Sequence, residues 1–328
     1  MMKLTTMQKV VETVNDEWKS TLAEEILEMW GHDPGSVYYF RASSNFLFVF
    51  KKAGKRYFLR FSDAEEKAYS HIESEMKILD YLRKQSIRVA LPVKSLNGNF
   101  IERVETNSGM YYAVVFDALP GKPLEIEDLE EADFLNWGNH LGKLHRIFKQ
   151  MPSEYRDGRQ SWQNQLSTAH KKLPTQEKAA LMELSTINQW AKGLPVTNDH
   201  FGLIHYDFEL DNLSWMDEEL GMLDFDDSMN HWFVADIAFA LRDILKTSDD
   251  LENPFVKAFI TGYQSETTLD RQLVHEIPMF IRMHNIITFV KLLQIAEVPD
   301  GFTLTEGLLN LKAKLENYIQ MYRDSFKA

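Results

Sequence analysis

The chain has 328 residues, 44% hydrophobic and 26% charged, a length that allows two lobes or domains around well-buried cores. It contains no cysteine, which excludes disulfides, thiol catalysis and Cys-ligated zinc and fits a reducing cytoplasm. The net charge of −13 disfavours nucleic-acid binding, and the whole acidic excess lies in residues 121–328. That excess reads either as a solvated surface or as surroundings suited to a cationic substrate. No run approaches the roughly 18 apolar residues of a membrane helix. The opening Met-Met-Lys-Leu-Thr-Thr lacks the apolar core of a signal peptide. The expectation is a cytoplasmic protein with no membrane or nucleic-acid partner.

Residues 7–30 have helical spacing through Val10, Val14, Trp18, Leu22 and Ile26, so residues 1–36 read as a helical extension. Short runs rich in aromatic and β-branched residues follow at Val37–Phe40, Phe46–Phe50 and Tyr57–Phe61. Lys52-Ala53-Gly54-Lys55 reads as a hairpin turn. Residues 64–85 return to helical periodicity. Leu91–Leu96 and Phe100–Val104 then read as strands joined by the turn Asn97-Gly98-Asn99, and Tyr111–Phe116 as the last strand. Residues 37–118 therefore read as a five-stranded antiparallel sheet with one helix inserted after the third strand. Leu119-Pro120-Gly121-Lys122-Pro123 breaks the pattern. Residues 119–328 are mainly helical, with helical spacing over 130–149, 175–192, 233–247, 268–295 and 304–325. The non-helical island is residues 203–228. The fold class is α+β, a two-lobed plan of the protein-kinase type.

The island carries the chemistry. His205-Tyr206-Asp207 is followed by Asn212 at His-x-Asp-x-x-x-x-Asn spacing, and Asp224 comes twelve residues later in Leu223-Asp224-Phe225-Asp226. Phosphoryl transfer from ATP needs a hydroxyl held in line and cations that neutralise the phosphates. Asp207 suits acceptance of the hydroxyl proton. Asn212 and Asp224 offer hard oxygens that suit Mg2+. A lone His-x-Asp is a common surface pair. Four coinciding features make this one specific: the spacing, the apolar flanks, the second acid at hairpin distance, and the place two thirds along the chain.

These motifs, with the weaker Asp236-Ile237-Ala238, resemble the aminoglycoside phosphotransferase and choline kinase-like superfamily over roughly residues 20–320. The resemblance implies a kinase that uses ATP and Mg2+ to phosphorylate a hydroxyl of a small molecule. It implies that Asp207 is the catalytic base, that Asn212 and Asp224 bind metal, and that His205 and Asp236 brace the catalytic loop. Asp236 also reads as an ordinary acid at a helix start.

By the same resemblance, Ser43, Ser44 and Asn45 form a phosphate-binding loop, although a plain β-turn fits them nearly as well. Arg60 stands where protein kinases carry lysine and would clamp phosphates bidentately. Glu75 would hold it inward, unless it is a solvated helix acid. Asp117, Ala118 and Leu119 would meet the adenine edge through the backbone. Phe225-Asp226-Asp227 departs from the x-Gly-Arg of many aminoglycoside enzymes. Glu209, Asp211 and Asp226 suggest an amine-bearing acceptor such as an aminoglycoside, homoserine or choline-like alcohol. By the resemblance Trp232, His231, Arg282, His284 and Asn285 would close the substrate cleft, although most of them read as core or surface more readily. The alternatives are a protein Ser/Thr kinase of the same superfamily and a silent nucleotide-binding pseudokinase.

Overall fold

The computed structural model describes residues 2–245 and 248–327. In chain order the helices and strands are Leu4–Val11 (α1), Thr21–Leu27 (α2), Tyr38–Ala42 (β1), Phe46–Lys52 (β2), Lys55–Asp63 (β3), Tyr69–Lys84 (α3), Pro92–Val93 (β4), Glu102–Thr106 (β5) and Gly109–Asp117 (β6). Then come Glu131–Lys149 (α4), Ser153–Arg156 (α5), Trp162–Lys172 (α6), Lys178–Lys192 (α7), Phe201–Ile204 (β7), Leu213–Met216 (β8), Glu219–Met222 (β9), Met229–Trp232 (β10) and Phe233–Ala240 (α8). Pro254–Gln264 (α9), Arg271–His275 (α10), Ile277–Ala296 (α11) and Glu306–Ser325 (α12) complete the chain. The described residues form two compact units. One is built from residues 1–76, 91–118 and 289–328, the other from residues 77–90 and 119–288. The first 36 residues and the last helix thus belong to the sheet unit, and α11 is divided between the two.

The first unit is a sheet in the order β1-β2-β3-β6, with β4 and β5 both paired to β6. The sheet has six strands, one for each run named above, where the expected total of five was one short. The two runs read as a hairpin do not pair with each other. Pro92 and Val93 pair with Phe116 and Val115, and Glu102–Thr106 pairs with Ala113–Gly109, so the two share one edge of β6 end to end. Strict alternation along β2 turns Phe46, Phe48 and Phe50 to the same face. Phe61 packs on Phe46 and stands edge-on to Tyr111, with ring centroids 5.2 and 5.3 Å apart. Leu22, Ile26, Leu304 and Leu308 cover this face and belong to the same core. Each such buried side chain contributes about 1.5–3 kcal/mol.

The helix expected over 7–30 is two helices. The Asn15 side chain accepts the Glu17 and Lys19 amides, Trp18 takes φ 62°, and Ser20 caps α2 by accepting the Ala23 amide. These short polar side chains offer the backbone a turn in place of a helical bond. The helix expected over 233–247 stops at Ala240, and residues 246–247 lie outside the described residues. The expected 268–295 helix is divided into α10 and α11. By length and composition α11 could cross a membrane, which the sequence reading had not anticipated. Here Phe280, Met283, Ile286 and Phe289 are buried, as in a core helix.

In the second unit, β7 pairs with β10, and β8 with β9, both antiparallel. All eight residues of α8 are buried. The pair α4 and α9 approach so closely that a Cβ on Gly262 would lie 1.9 Å from the Leu135 carbonyl oxygen. No rotamer change relieves a clash with backbone. We expect G262A to lower stability by at least about 2 kcal/mol. G307A, with nothing within 4 Å of its Cβ, should be neutral or slightly stabilising. Thermal melts of the two variants check this, and equal melting temperatures would contradict it.

Candidate active site

The strand β7 ends where the chemistry begins. Tyr206 then adopts φ 74°, a left-handed backbone that costs a non-glycine residue about 1–2 kcal/mol. What holds it is Asp236 in the first turn of α8. Its two carboxylate oxygens accept the backbone N–H of Tyr206 at 2.7 Å and of His205 at 2.8 Å. The same carboxylate meets His145 Nε2 at 3.0 Å, and His145 Nδ1 meets the Tyr263 hydroxyl at 2.9 Å. Asp236, His145 and Tyr263 are all fully buried. A neutral His145 satisfies both bonds, with Nε2–H donating to Asp236 and Nδ1 accepting from Tyr263.

His205 connects the two chemical segments. Its Nε2 lies 3.0 Å from the Leu223 carbonyl oxygen, and its Nδ1 accepts the Asp207 amide at 3.3 Å. The hairpin β8–β9 does the rest. Leu213 faces Met222 in its register, so the next pair outward is Asn212 and Leu223, joined by the Leu223 amide donating to the Asn212 carbonyl at 2.8 Å. Asp224 therefore follows directly on a residue bonded to Asn212. It takes φ 57°, a second left-handed non-glycine residue. Asn212 Nδ2 donates to the Asp207 carboxylate at 2.8 Å and to its carbonyl oxygen at 3.0 Å. That leaves the Asn212 amide oxygen as the donor atom for a cation. Phe225 is buried against the His205 ring, with centroids 4.4 Å apart.

Asp207 and Glu209 share hydrogen bonding. Burial would raise Asp207, but the bonds from Glu209 and Asn212 and the charge of Arg242 hold it below the ordinary carboxylate range. Glu209 is pushed up to about 8 by burial and by the Asp207 carboxylate beside it. Arg242, just beyond α8, forms an ion pair with Glu209.

Other expected substrate residues fare differently. Asp211 is exposed on a short 3₁₀ turn. Asp226 is buried, and its carbonyl oxygen accepts from Arg159 Nη1 at 2.7 Å. Trp232 is fully buried between Trp162, Phe201 and Phe280, with Nε1 donating to the Pro195 carbonyl at 2.8 Å. It is a core residue, and the substrate assignment is withdrawn. His231 lies in the same core, and Arg282 forms a surface pair with Glu183.

In the sheet unit, Arg60 and Glu75 form a buried two-pronged pair, with Nη1 to Oε1 at 2.9 Å and Nη2 to Oε2 closing the fork. Glu75 is therefore not a solvated helix acid. Arg60 also stacks 4.8 Å over the Phe116 ring. Asn45 is buried rather than open to a ligand. Its side-chain oxygen accepts from Ser62 at 2.7 Å and from Lys67 at 2.8 Å, so any phosphate contact from this loop falls to Ser43, Ser44 or the backbone. The Asp117 amide donates to Leu91 at 3.0 Å and is not available to an adenine. Ala118 ends the first unit's 91–118 segment, and Leu119 begins the second unit's 119–288 segment. His145, Arg159, Arg242 and Lys67 were not singled out by sequence. Their partners lie 22 to 118 positions away in the chain, and no local pattern marks them.

Burial depresses His145, His205 and His231 below the ordinary histidine value, His231 to about 3. Below about pH 6.5 the unfolded chain binds protons at these rings and the folded chain does not. Stability is thus complete above that pH and is lost as pH falls, by about 1.4 kcal/mol per pH unit for each uncompensated proton. Glu209 acts in the opposite sense, because its raised value makes the folded state hold a proton, and it offsets one of the three. The urea midpoint at pH 5.5 should lie clearly below that at pH 6.5. An equal or higher midpoint would contradict neutral burial of these rings.

Comparison with known proteins gives the geometry its family. Amicoumacin kinase of Bacillus subtilis (strain 168) is 26% identical over 304 residues, covering 89% of this chain and 90% of that protein. Among solved structures, amicoumacin kinase hAmiN in complex with AMP-PNP, Ca2+ and Ami superimposes with a TM-score of 0.77 at 24% identity, covering 96% of this chain and 95% of that one. A microcompartment-associated aminopropanol kinase does so at 0.70 and 18%, covering 94% and 96%. Spectinomycin phosphotransferase APH(9)-Ia, in complex with ADP and spectinomycin, gives 0.63 and 14%, covering 94% and 97%. These likenesses establish the two-lobed kinase-like fold. The profile of the phosphotransferase enzyme family (APH) matches residues 41–273, most of the chain, and the protein belongs to that family.

Proposed function

We propose that the protein transfers the γ-phosphoryl group of ATP to a hydroxyl of a small, amine-bearing molecule, with Asp207 as the base and Asn212 and Asp224 holding Mg2+. Its family and its kinase relatives make it a phosphotransferase with a small-molecule hydroxyl acceptor. They lend the protein Ser/Thr kinase alternative no support. The observation that carries the residue roles is the bond from Asn212 Nδ2 to the Asp207 carboxylate, beside the Leu223 amide bonded to Asn212.

The donor set fits a divalent cation bound together with a nucleotide. Asn212 keeps an amide oxygen and Asp224 brings a carboxylate, both hard ligands. Among the described residues no group of three or more His, Asp or Glu could hold a metal by itself. Two protein oxygens suit an ion such as Mg2+ that completes its shell from phosphates and water. When bound, the cation neutralises phosphate charge during transfer. The remaining roles belong to the chain. Asp207, kept ionised by its hydrogen bonds, accepts the acceptor O–H and takes its proton. Arg60, fixed by Glu75, presents a permanent positive charge to phosphate. Asp236 and His205 keep the loop from relaxing.

The amine rests on the acidic excess of residues 121–328, which favours a cationic acceptor. It also rests on the aminopropanol kinase, whose substrate name joins an amine to a hydroxyl. With γ-labelled ATP and Mg2+, a panel of amicoumacin, aminopropanol, spectinomycin, choline, homoserine and glycerol should yield a labelled amine-bearing product. D207N should lower turnover by about 10²–10⁴-fold with AMP-PNP affinity nearly unchanged. D224A should weaken Mg-nucleotide binding as well. Turnover by D207N close to wild type would contradict the base. No product with any acceptor, together with intact nucleotide binding, would favour the pseudokinase.

A further inference from the structure

The helix α8 is buried along its whole length and supplies two charged groups to one loop. Asp236, in its first turn, fixes the backbone entering the loop. Arg242, in the turn that follows its end, reaches the loop's middle through Glu209. Between these points the segment 207–212 is held by the buried Phe208 side chain, by the Leu223 amide donating to the Asn212 carbonyl at 2.8 Å, and by short-range bonds. The Asn212 amide donates to the Glu209 carbonyl at 3.0 Å, and Asn212 Nδ2 donates to Asp207.

The Glu209 carboxyl sits between two partners, hydrogen-bonded to the Asp207 carboxyl and paired with the Arg242 guanidinium. Two acids this close do not both ionise readily, and the Arg242 guanidinium set against them balances the charge the pair retains. Both Glu209 and Arg242 are largely screened from water, with side chains 24% and 29% exposed, so their attraction is weakened less than that of a surface pair. We propose that Arg242 is a positioning residue for phosphoryl transfer, holding Glu209 against α8 so that the Asp207 carboxyl keeps its orientation. This rests on the reading of Asp207 as the base. Neither Arg242 nor Asp207 need move during turnover. The pair removes a direction in which the loop would otherwise swing, because Glu209 without Arg242 would turn toward solvent and draw the Asp207 backbone with it.

The test uses water as acceptor, so it needs no knowledge of the natural substrate. Mg-dependent ATP hydrolysis is measured for the full-length wild type, R242M, R242K, R242M/E209Q and D207N, alongside melting temperatures and amide hydrogen exchange over residues 206–212. R242M should lose about thirtyfold in kcat with KM for ATP within about threefold, as expected when a reacting group is misplaced rather than a ligand site lost. Its loop amides should exchange faster. R242M/E209Q, which replaces the Glu209 carboxyl by a neutral amide of the same shape, should recover about tenfold of the loss, and R242K should fall between wild type and R242M. The proposal is overturned if R242M keeps the wild-type kcat, if its loss lies in KM, or if the double variant is no better than the single one. Should R242M fail to fold, R242K and R242M/E209Q carry the comparison. Wild-type kcat and loop exchange in both would then overturn the proposal. An active D207N would sink the assignment of the base instead, while an inactive D207N beside an unaffected R242M would sink only the role of Arg242.

Discussion

One buried carboxylate organises the catalytic half of this protein. Asp236 takes two consecutive backbone amides and a histidine, and all of its partners are inside the fold. A carboxyl group in such a place is tolerable only because several donors replace the water it has lost. The exchange has a consequence for the loop. A chain turned into the left-handed region at Tyr206 would relax if its amides were not held, and Asp207 would relax with it. The second left-handed residue, Asp224, lies on the other chemical segment, and His205 links the two by bonding Leu223 through one ring nitrogen and Asp207 through the other.

Much of this was legible in the sequence, for physical reasons. The residues proposed as base and metal ligands come from loops of fixed length, so His205, Asp207, Asn212 and Asp224 leave a spacing that survives without knowledge of the fold. Alternation in Phe46–Phe50 and the long amphipathic run of residues 130–149 report their own burial, which is why sheet and helix were separable. Other features leave no such trace. Arg242 is one charged residue after an apolar helix, and only the folded chain brings it to Glu209. The helix α9 was missed because its packing depends on Gly138 and Gly262, which sequence patterns treat as breakers. Trp232 misled in the other direction. Family resemblance places it at the substrate cleft, but its indole is sealed among other rings. The strands β4 and β5 were misjudged because the Asn97-Gly98-Asn99 turn promises a hairpin, whereas both strands find a better partner in β6.

The acidic loop also shows how charge is managed where charge is needed. In its proposed role Asp207 stays ionised to take a proton, yet it is mostly enclosed and has Glu209 as a neighbour. Hydrogen bonds from Asn212 and the nearby guanidinium of Arg242 supply the compensation, while Glu209 carries the protonation burden. In the sheet unit the same rule appears in simpler form. Arg60 is enclosed only because Glu75 answers it with two oxygens.

The most direct measurement is a crystal structure grown with AMP-PNP and Mn2+, read by the anomalous signal of the metal. We predict a metal peak within bonding distance of the Asn212 amide oxygen and the Asp224 carboxylate, with Asp207 beside the metal and not coordinating it. A metal and nucleotide bound without Asn212 and Asp224, or Asp207 turned away from them, would contradict the assignment of this loop pair as the phosphoryl-transfer centre.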